Sequence, residues 1–186
     1  MTRIALTVVT SSADQTRALG QALGRVLAAG DLVMLNGGLG AGKTTFTQGI
    51  AQGMGVSGRV QSPTFIVARV HANRAGGPDL IHVDAYRIRD LDDLETLDLD
   101  STLDESVTVV EWGRGKTEAL SDERLEIEIG REHGGDIAYD DETINLELMD
   151  DGRRILTLTA HGKRWDGVLD GIAQRARAHE TLGSTS

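Results

Sequence analysis

Ile4, Leu6 and Val8 alternate with polar or small residues from Arg3 to Val9, the period of a half-buried strand. Ser12-Ala13-Asp14-Gln15 then reads as a capping box. Leu19, Ala22, Leu23, Val26 and Leu27 follow at helical spacing, with Gly30 as the expected stop. Leu32–Leu35 is an uninterrupted apolar run, the signature of a parallel strand buried on both faces. A glycine-rich turn follows, and Thr44–Ala51 is expected to be helical with Phe46 and Ile50 inward. After Ser62-Pro63-Thr64-Phe65, the strands Ile66–Val70 and Leu80–Val83 flank a polar turn at Asn73–Pro78 and are predicted to pair as a hairpin. Val107–Val110 is another buried-type strand, and Leu125–Ile129, Ile144–Leu148 and Ile155–Leu158 alternate as half-exposed ones. Trp165, Val168, Leu169, Ile172, Ala173 and Ala176 fit a closing amphipathic helix. Residues from Glu180 onward are expected to fray.

Strands alternating with helices place the chain in the α/β class. Its 186 residues suit one domain, expected over 1–180 with a flexible tail at 181–186. The absence of cysteine excludes a disulfide framework, Cys-ligated zinc and a thiol nucleophile. No apolar run approaches membrane-helix length and the N-terminus lacks signal-peptide character, so a cytoplasmic location without membrane association is expected. The net charge of −10 disfavours a free-standing nucleic-acid binder. That charge is uneven: eight acids and no Lys or Arg lie between Asp90 and Glu105, whereas Arg153–His179 is basic. Such stretches are ordinarily solvated faces, the alternative being a polar docking surface for a protein.

Gly37-Gly38-Leu39-Gly40-Ala41-Gly42-Lys43-Thr44 matches G-x-x-x-x-G-K-[ST]. Glycines let the backbone curl its N–H groups around an anion, and the helix that follows aims its positive dipole end at the same point. Lys43 can reach the outer phosphates and the Thr44 hydroxyl can ligate Mg²⁺. Composition alone yields such a match on the order of once in a hundred chains of this length, and here the flanking strand and helix also agree. The segment is read as a nucleotide phosphate site. Its metal needs an acid at a neighbouring strand end. Asp84 and Glu111 both qualify, one for the metal and the other for orienting water, and the residues alone leave the assignment open. No Asn-Lys-x-Asp guanine-reading motif occurs, which favours adenine by default. His82, two residues before Asp84, is read as a hydrogen-bonded core histidine in preference to half of a metal pair. Tyr86 and Trp112 are expected to pack in core or loops, and Arg87 to pair with an acid more readily than to stabilise a phosphoryl group.

Gly40-Ala41-Gly42-Lys43-Thr44-Thr45-Phe46, Ser62-Pro63-Thr64-Phe65, His82-Val83-Asp84-Ala85-Tyr86-Arg87 and Glu111-Trp112 occur in the order and spacing of the bacterial TsaE ATPases, which the chain resembles from about Val9 to Gly113 and more weakly to Trp165. The departures are Gly38, where the family usually has an acid or Asn, Asp98, where it has Gly, and a longer Arg131–Asp151 segment. The resemblance implies a three-layer P-loop NTPase fold with a mainly parallel central sheet and additional antiparallel strands toward the C-terminus. It implies Mg-ATP bound by Leu39, Gly40, Ala41, Gly42, Lys43, Thr44 and Thr45, with Thr44 and Glu111 on the metal. Asp84 would assist hydrolysis, Thr64 would lie on a nucleotide-sensing loop, and Trp112 would pack beside the metal acid. Ser12 and Ala13 would sit near the base and Arg153 would approach the nucleotide. The implied activity is ATP hydrolysis that resets the TsaB–TsaD heterodimer in tRNA threonylcarbamoyladenosine formation. The chain would be monomeric alone and would meet tRNA only within that complex. A small-molecule kinase is the runner-up, weakened because Leu91–Glu105 holds no arginine for a lid. An ATP-sensing module without chemistry is the third reading.

Overall fold

A computed structural model describes residues 3–58, 60–63, 67–88, 100–131 and 152–174. Seven strands form one sheet: β1 (Arg3–Thr10), β2 (Leu32–Asn36), β3 (Ala68–His71), β4 (Asp79–Asp84), β5 (Ser106–Glu111), β6 (Arg124–Arg131) and β7 (Arg154–His161). Their order is β1-β7-β6-β2-β5-β4-β3. The centre, β6-β2-β5-β4, is parallel. β7 pairs antiparallel with both β6 and β1, and β3 antiparallel with β4. The expected α/β architecture with a parallel centre is therefore present, but antiparallel strands stand at both edges and one of them is N-terminal. The expected strand Ile144–Leu148, Thr64 and the segment around Asp98 lie outside the described residues, as do Ala176 and the 181–186 tail.

Every residue of β2 is buried, as its continuous apolar run requires. Val33 and Leu35 face one core with Phe46, Ile50, Leu23, Trp165, Leu169 and Ile172. Leu32 and Met34 face a second with Ile81, Val83, Ala85, Ile88 and Val110. β6 and β7 alternate buried with half-buried positions, as their period-two pattern predicts. The closing helix is present over 168–174, with Trp165 in a 3₁₀ turn before it. No described helix is long and apolar enough to cross a membrane.

Helix α1 (Ala13–Gly24) begins at Ser12, whose Oγ accepts the Gln15 N–H at 3.2 Å. Gln15 Oε1 in return accepts the Ser11 N–H at 2.7 Å, one residue earlier than in the standard capping box. The helix ends at Gly24, not at Gly30. Val26 and Leu27 still pack on the core from the turn beyond, so their spacing imitates another helical turn. Asp31 closes that turn, its Oδ2 accepting the Ala28 N–H at 2.8 Å. Arg164 clamps the same carboxylate, its Nε donating to Oδ1 at 2.8 Å and its Nη2 to Oδ2 at 2.7 Å.

Helix α2 (Lys43–Met54) packs closely on α1 because both carry glycines four apart at the crossing: Gly20 and Gly24 on one, Gly49 and Gly53 on the other. A methyl group at Gly24 would overlap the Ile50 carbonyl, and one at Gly49 the Arg17 carbonyl. Since the obstacle is backbone, it cannot rotate away. Gly24→Ala is therefore expected to destabilise the chain by about 1–3 kcal/mol of overpacking, despite alanine's better helix propensity. Urea unfolding measures this, and unchanged or raised stability would contradict the close crossing. The crossing matters for function because α2 begins in the glycine-rich loop.

Candidate functional site

β2 ends at Asn36 and α2 starts at Lys43, so the motif occupies the strand-to-helix turn that the sequence predicts for it. Gly42, the residue before the helix, has φ 109°, a conformation that favours glycine, and brings no capping side chain. The first α2 hydrogen bond runs from the Phe46 N–H to Gly42 O at 2.9 Å. The N–H groups of Lys43, Thr44 and Thr45 therefore have no acceptor within the helix. They open on a cleft of about 660 Å³ lined by the loop from Leu39 to Thr45 together with Ser62, Asp84, Tyr86, Glu111 and Trp112. That size lies within the usual range of small-molecule sites.

The sheet register brings the two candidate acids together. β4 runs parallel to β5 with Asp84 opposite Glu111, and Glu111 lies beside Leu35 of β2. Both carboxylates are almost fully buried. Thr44 Oγ1 donates to Glu111 Oε1 at 3.1 Å, and His82 Nε2 reaches the same oxygen at 2.8 Å. Asp84 is held differently: its Oδ1 accepts the Tyr86 N–H at 3.0 Å, with Ser62 Oγ 3.5 Å from Oδ2. Glu111 is thus tied to the motif's hydroxyl, whereas Asp84 stands across the cleft wall.

Lys43 is the only cation among the described lining residues. Its ammonium donates to Gly37 O at 2.9 Å and Gly38 O at 3.0 Å, and lies 3.8 Å from the centre of the Trp112 ring. Burial lowers its pKa from the ordinary lysine value, while Glu111, Asp84 and Glu128 pull in the opposite direction. Trp112 is one of two described non-glycine residues at positive φ, 62°. This conformation costs about 1–2 kcal/mol. It is held by the Trp112 N–H on Leu35 O at 3.0 Å and by an edge-on contact with the Tyr86 ring at 5.5 Å. Tyr86 and Trp112 therefore pack on each other at the cleft wall, outside the core.

Arg131 and Arg154, opposite each other on β6 and β7, brace the outside of the loop. Arg154 Nε donates to Ala41 O at 2.9 Å and Arg131 Nη2 to Gly40 O at 3.1 Å. Sequence reasoning singled out Arg153, which is exposed, whereas the buried Arg154 meets the loop. Strand periodicity carried that signal, because residue 154 shares a face with the inward Leu156 and Leu158. Ser12 and Ala13 start α1 outside the described cleft lining. They reach the loop's neighbourhood through Thr16, whose Oγ1 lies 3.1 Å from Ser12 O and whose methyl adjoins Gly42. Arg87 is exposed on the 3₁₀ turn Ala85–Arg87, also outside that lining. His82 is the hydrogen-bonded core histidine expected, and its partner is Glu111.

The donor set fits a magnesium nucleotide: free helix amides and an ammonium for phosphate, a hydroxyl and a buried carboxylate for a hard dication. No group of three or more His, Asp or Glu able to hold a metal occurs among the described residues. A cation held by one hydroxyl, one carboxylate and ligand oxygens needs no such group.

The profile of the TsaE family, threonylcarbamoyl adenosine biosynthesis protein TsaE, matches residues 10–137. The chain is 50% identical over 150 residues to the tRNA threonylcarbamoyladenosine biosynthesis protein TsaE of Streptomyces coelicolor, covering 80% of this chain and 93% of the relative. To the Bacillus subtilis protein of the same name it is 35% identical over 166 residues, covering 89% and 92%. The crystal structure of Bacillus subtilis YdiB superposes with a TM-score of 0.68 at 29% identity, covering 94% of this chain and 98% of that one. The strand–loop–helix motif and these likenesses agree, and the chain belongs to the TsaE family.

Proposed function

We propose that this chain binds and hydrolyses Mg-ATP, and that the cycle drives conformational change in the TsaB–TsaD threonylcarbamoyl transferase during tRNA N6-threonylcarbamoyladenosine formation. A role in tRNA threonylcarbamoyladenosine biosynthesis follows from the family. The ATPase reading rests on one observation above others: Thr44, which ends the phosphate loop, already shares a hydrogen bond with the buried Glu111.

In this reading the backbone from Leu39 to Thr45 holds the phosphates and Lys43 supplies positive charge. Thr44 and Glu111 hold the metal. Magnesium, when bound, neutralises phosphate charge that would otherwise oppose attack. Asp84, fixed by the Tyr86 N–H, orients the attacking water. Thr64, in the Ser62-Pro63-Thr64-Phe65 motif, senses the γ-phosphate, Ser12 and Ala13 lie toward the base, and Arg153 approaches the nucleotide. Switch loops held by the γ-phosphate and released on hydrolysis are the usual route from chemistry to motion. The chain acts in the cytoplasm as a monomer until it meets the heterodimer, and its charge of −10 is consistent with meeting tRNA only inside the complex.

The two strand-end acids favour hydrolysis over ATP sensing alone, and the arginine-free Leu91–Glu105 stretch disfavours a kinase lid. Isolated P-loop enzymes are often slow because a partner completes their charge stabilisation. Phosphate release from ATP is accordingly expected to be slow with the chain alone and to rise when the TsaB–TsaD heterodimer is added. No acceleration would remove the partner from the proposal, and a phosphorylated metabolite in a substrate screen would replace hydrolysis with a kinase reaction.

A further inference from the structure

We infer that His82 is a positioning residue that fixes the Glu111 carboxylate for the metal. The inference rests on the Mg-ATP reading above. His82 is fully buried on β4, opposite Val109 and two residues from Asp84. From there its ring reaches diagonally to Glu111 at the end of the neighbouring strand. Nε2 stands 2.8 Å from Oε1, and Nδ1 is buried without a hydrogen-bond partner among the described residues. A carboxylate only accepts, so Nε2 must carry the proton. The opposite tautomer would set a lone pair against Oε1 and bury an unsatisfied N–H at Nδ1. The ring therefore has one polar task, which is to hold Glu111.

The consequence passes to Thr44. Oε1 receives both the imidazole N–H and the threonine hydroxyl. With Oε1 pinned by a rigid ring from the sheet core, the Thr44 proton is directed to the carboxylate and the Thr44 lone pairs remain for a cation. Glu111 also lines the cleft in which that cation would sit. Groups that orient a metal's ligands typically change its affinity by about 10–100-fold when removed.

His82→Phe removes that hydrogen bond and keeps a planar aromatic ring, though a larger one, so thermal melts run beside the titrations check its packing. The test compares calorimetric affinities for a non-hydrolysable ATP analogue with and without Mg²⁺ in wild type, His82→Phe and His82→Gln. The phenylalanine variant is expected to lose about tenfold of the Mg²⁺-dependent gain while keeping its metal-free affinity. Glutamine, whose amide can donate to Oε1, is expected to restore most of it. A folded phenylalanine variant with the full gain, an equal loss without metal, or a glutamine variant no better than phenylalanine would overturn the inference. If the phenylalanine variant does not fold, ¹⁵N NMR of the wild-type imidazole decides: a proton on Nε2 supports it and an Nε2 without a proton overturns it. A wild-type affinity indifferent to Mg²⁺ would instead defeat the metal reading itself, which separates the two failures.

Discussion

Lys43→Ala is expected to lower ATP affinity by about 100-fold or more and to leave the fold intact. A hydrogen bond to a charged group contributes about 1.5–3 kcal/mol, lysine offers three donors, and about 1.4 kcal/mol is a tenfold change. Loss of even two such contacts reaches that range. No other described lining residue is cationic, so none can substitute. Arg154 and Arg131 spend donors on the loop's outer carbonyls at Ala41 and Gly40. The fold should survive because, among the described residues, the ammonium's hydrogen bonds and ring contact go to the Gly37 and Gly38 carbonyls and the Trp112 face. Calorimetry for affinity and circular dichroism for structure check both halves. Wild-type affinity in a folded variant would reject the site.

Glu111→Ala is expected to remove most of the Mg²⁺-dependent gain in ATP affinity while affecting metal-free binding much less. The carboxylate is the residue that joins the loop hydroxyl to the sheet, through Thr44 at 3.1 Å and His82 at 2.8 Å. Its removal also strands the His82 N–H in a dry interior, an additional destabilisation of about 1–3 kcal/mol. Titrations with and without Mg²⁺, run beside thermal melts, separate the two consequences. Equal losses in both titrations would take Glu111 out of the metal shell. Asp84 provides the contrast, because it accepts from a backbone N–H and has no bond to Thr44. A metal effect as large for Asp84→Ala would reverse the roles assigned to the two acids.

Much of the fold was legible because local patterns coincide with tertiary burial. The continuous apolar runs at β2 and β5 are the strands buried on both faces, and the alternation in β6 and β7 matches their half-exposed ladders. The loop motif fixed its own surroundings, since a strand must feed it and a helix must leave it. What escaped reading is non-local. Nothing in Arg3–Thr10 announces antiparallel pairing with a strand some 150 residues later. The helix stop moved from Gly30 to Gly24 because Val26 and Leu27 contact the core without being helical. Gly20, Gly24, Gly49 and Gly53 look like weak helix formers until the two backbones are seen to touch.

The site divides in the same way. Residues contiguous with the motif, Leu39 to Thr45, were readable one by one, and Asp84 and Glu111 were readable as strand ends. The residues alone left open what distinguishes the two acids, and only the resemblance separated them; the β4–β5 register sets Asp84 against Glu111, and Thr44 hydrogen-bonds Glu111. Arg154 was not read as a loop contact beside Arg153, because a one-residue step along the chain turns a side chain to the opposite face. His82 was readable as a core histidine, but its partner lies 29 positions away and became visible only when the strands were aligned.

The most direct measurement is a crystal structure of the chain soaked with Mg²⁺ and a non-hydrolysable ATP analogue. It is expected to show the phosphates against the amides of Gly40 to Thr45, with Lys43 turned toward them and the metal beside Thr44 and Glu111. Nucleotide bound at another surface, with that turn unliganded at saturating concentration, would contradict the account.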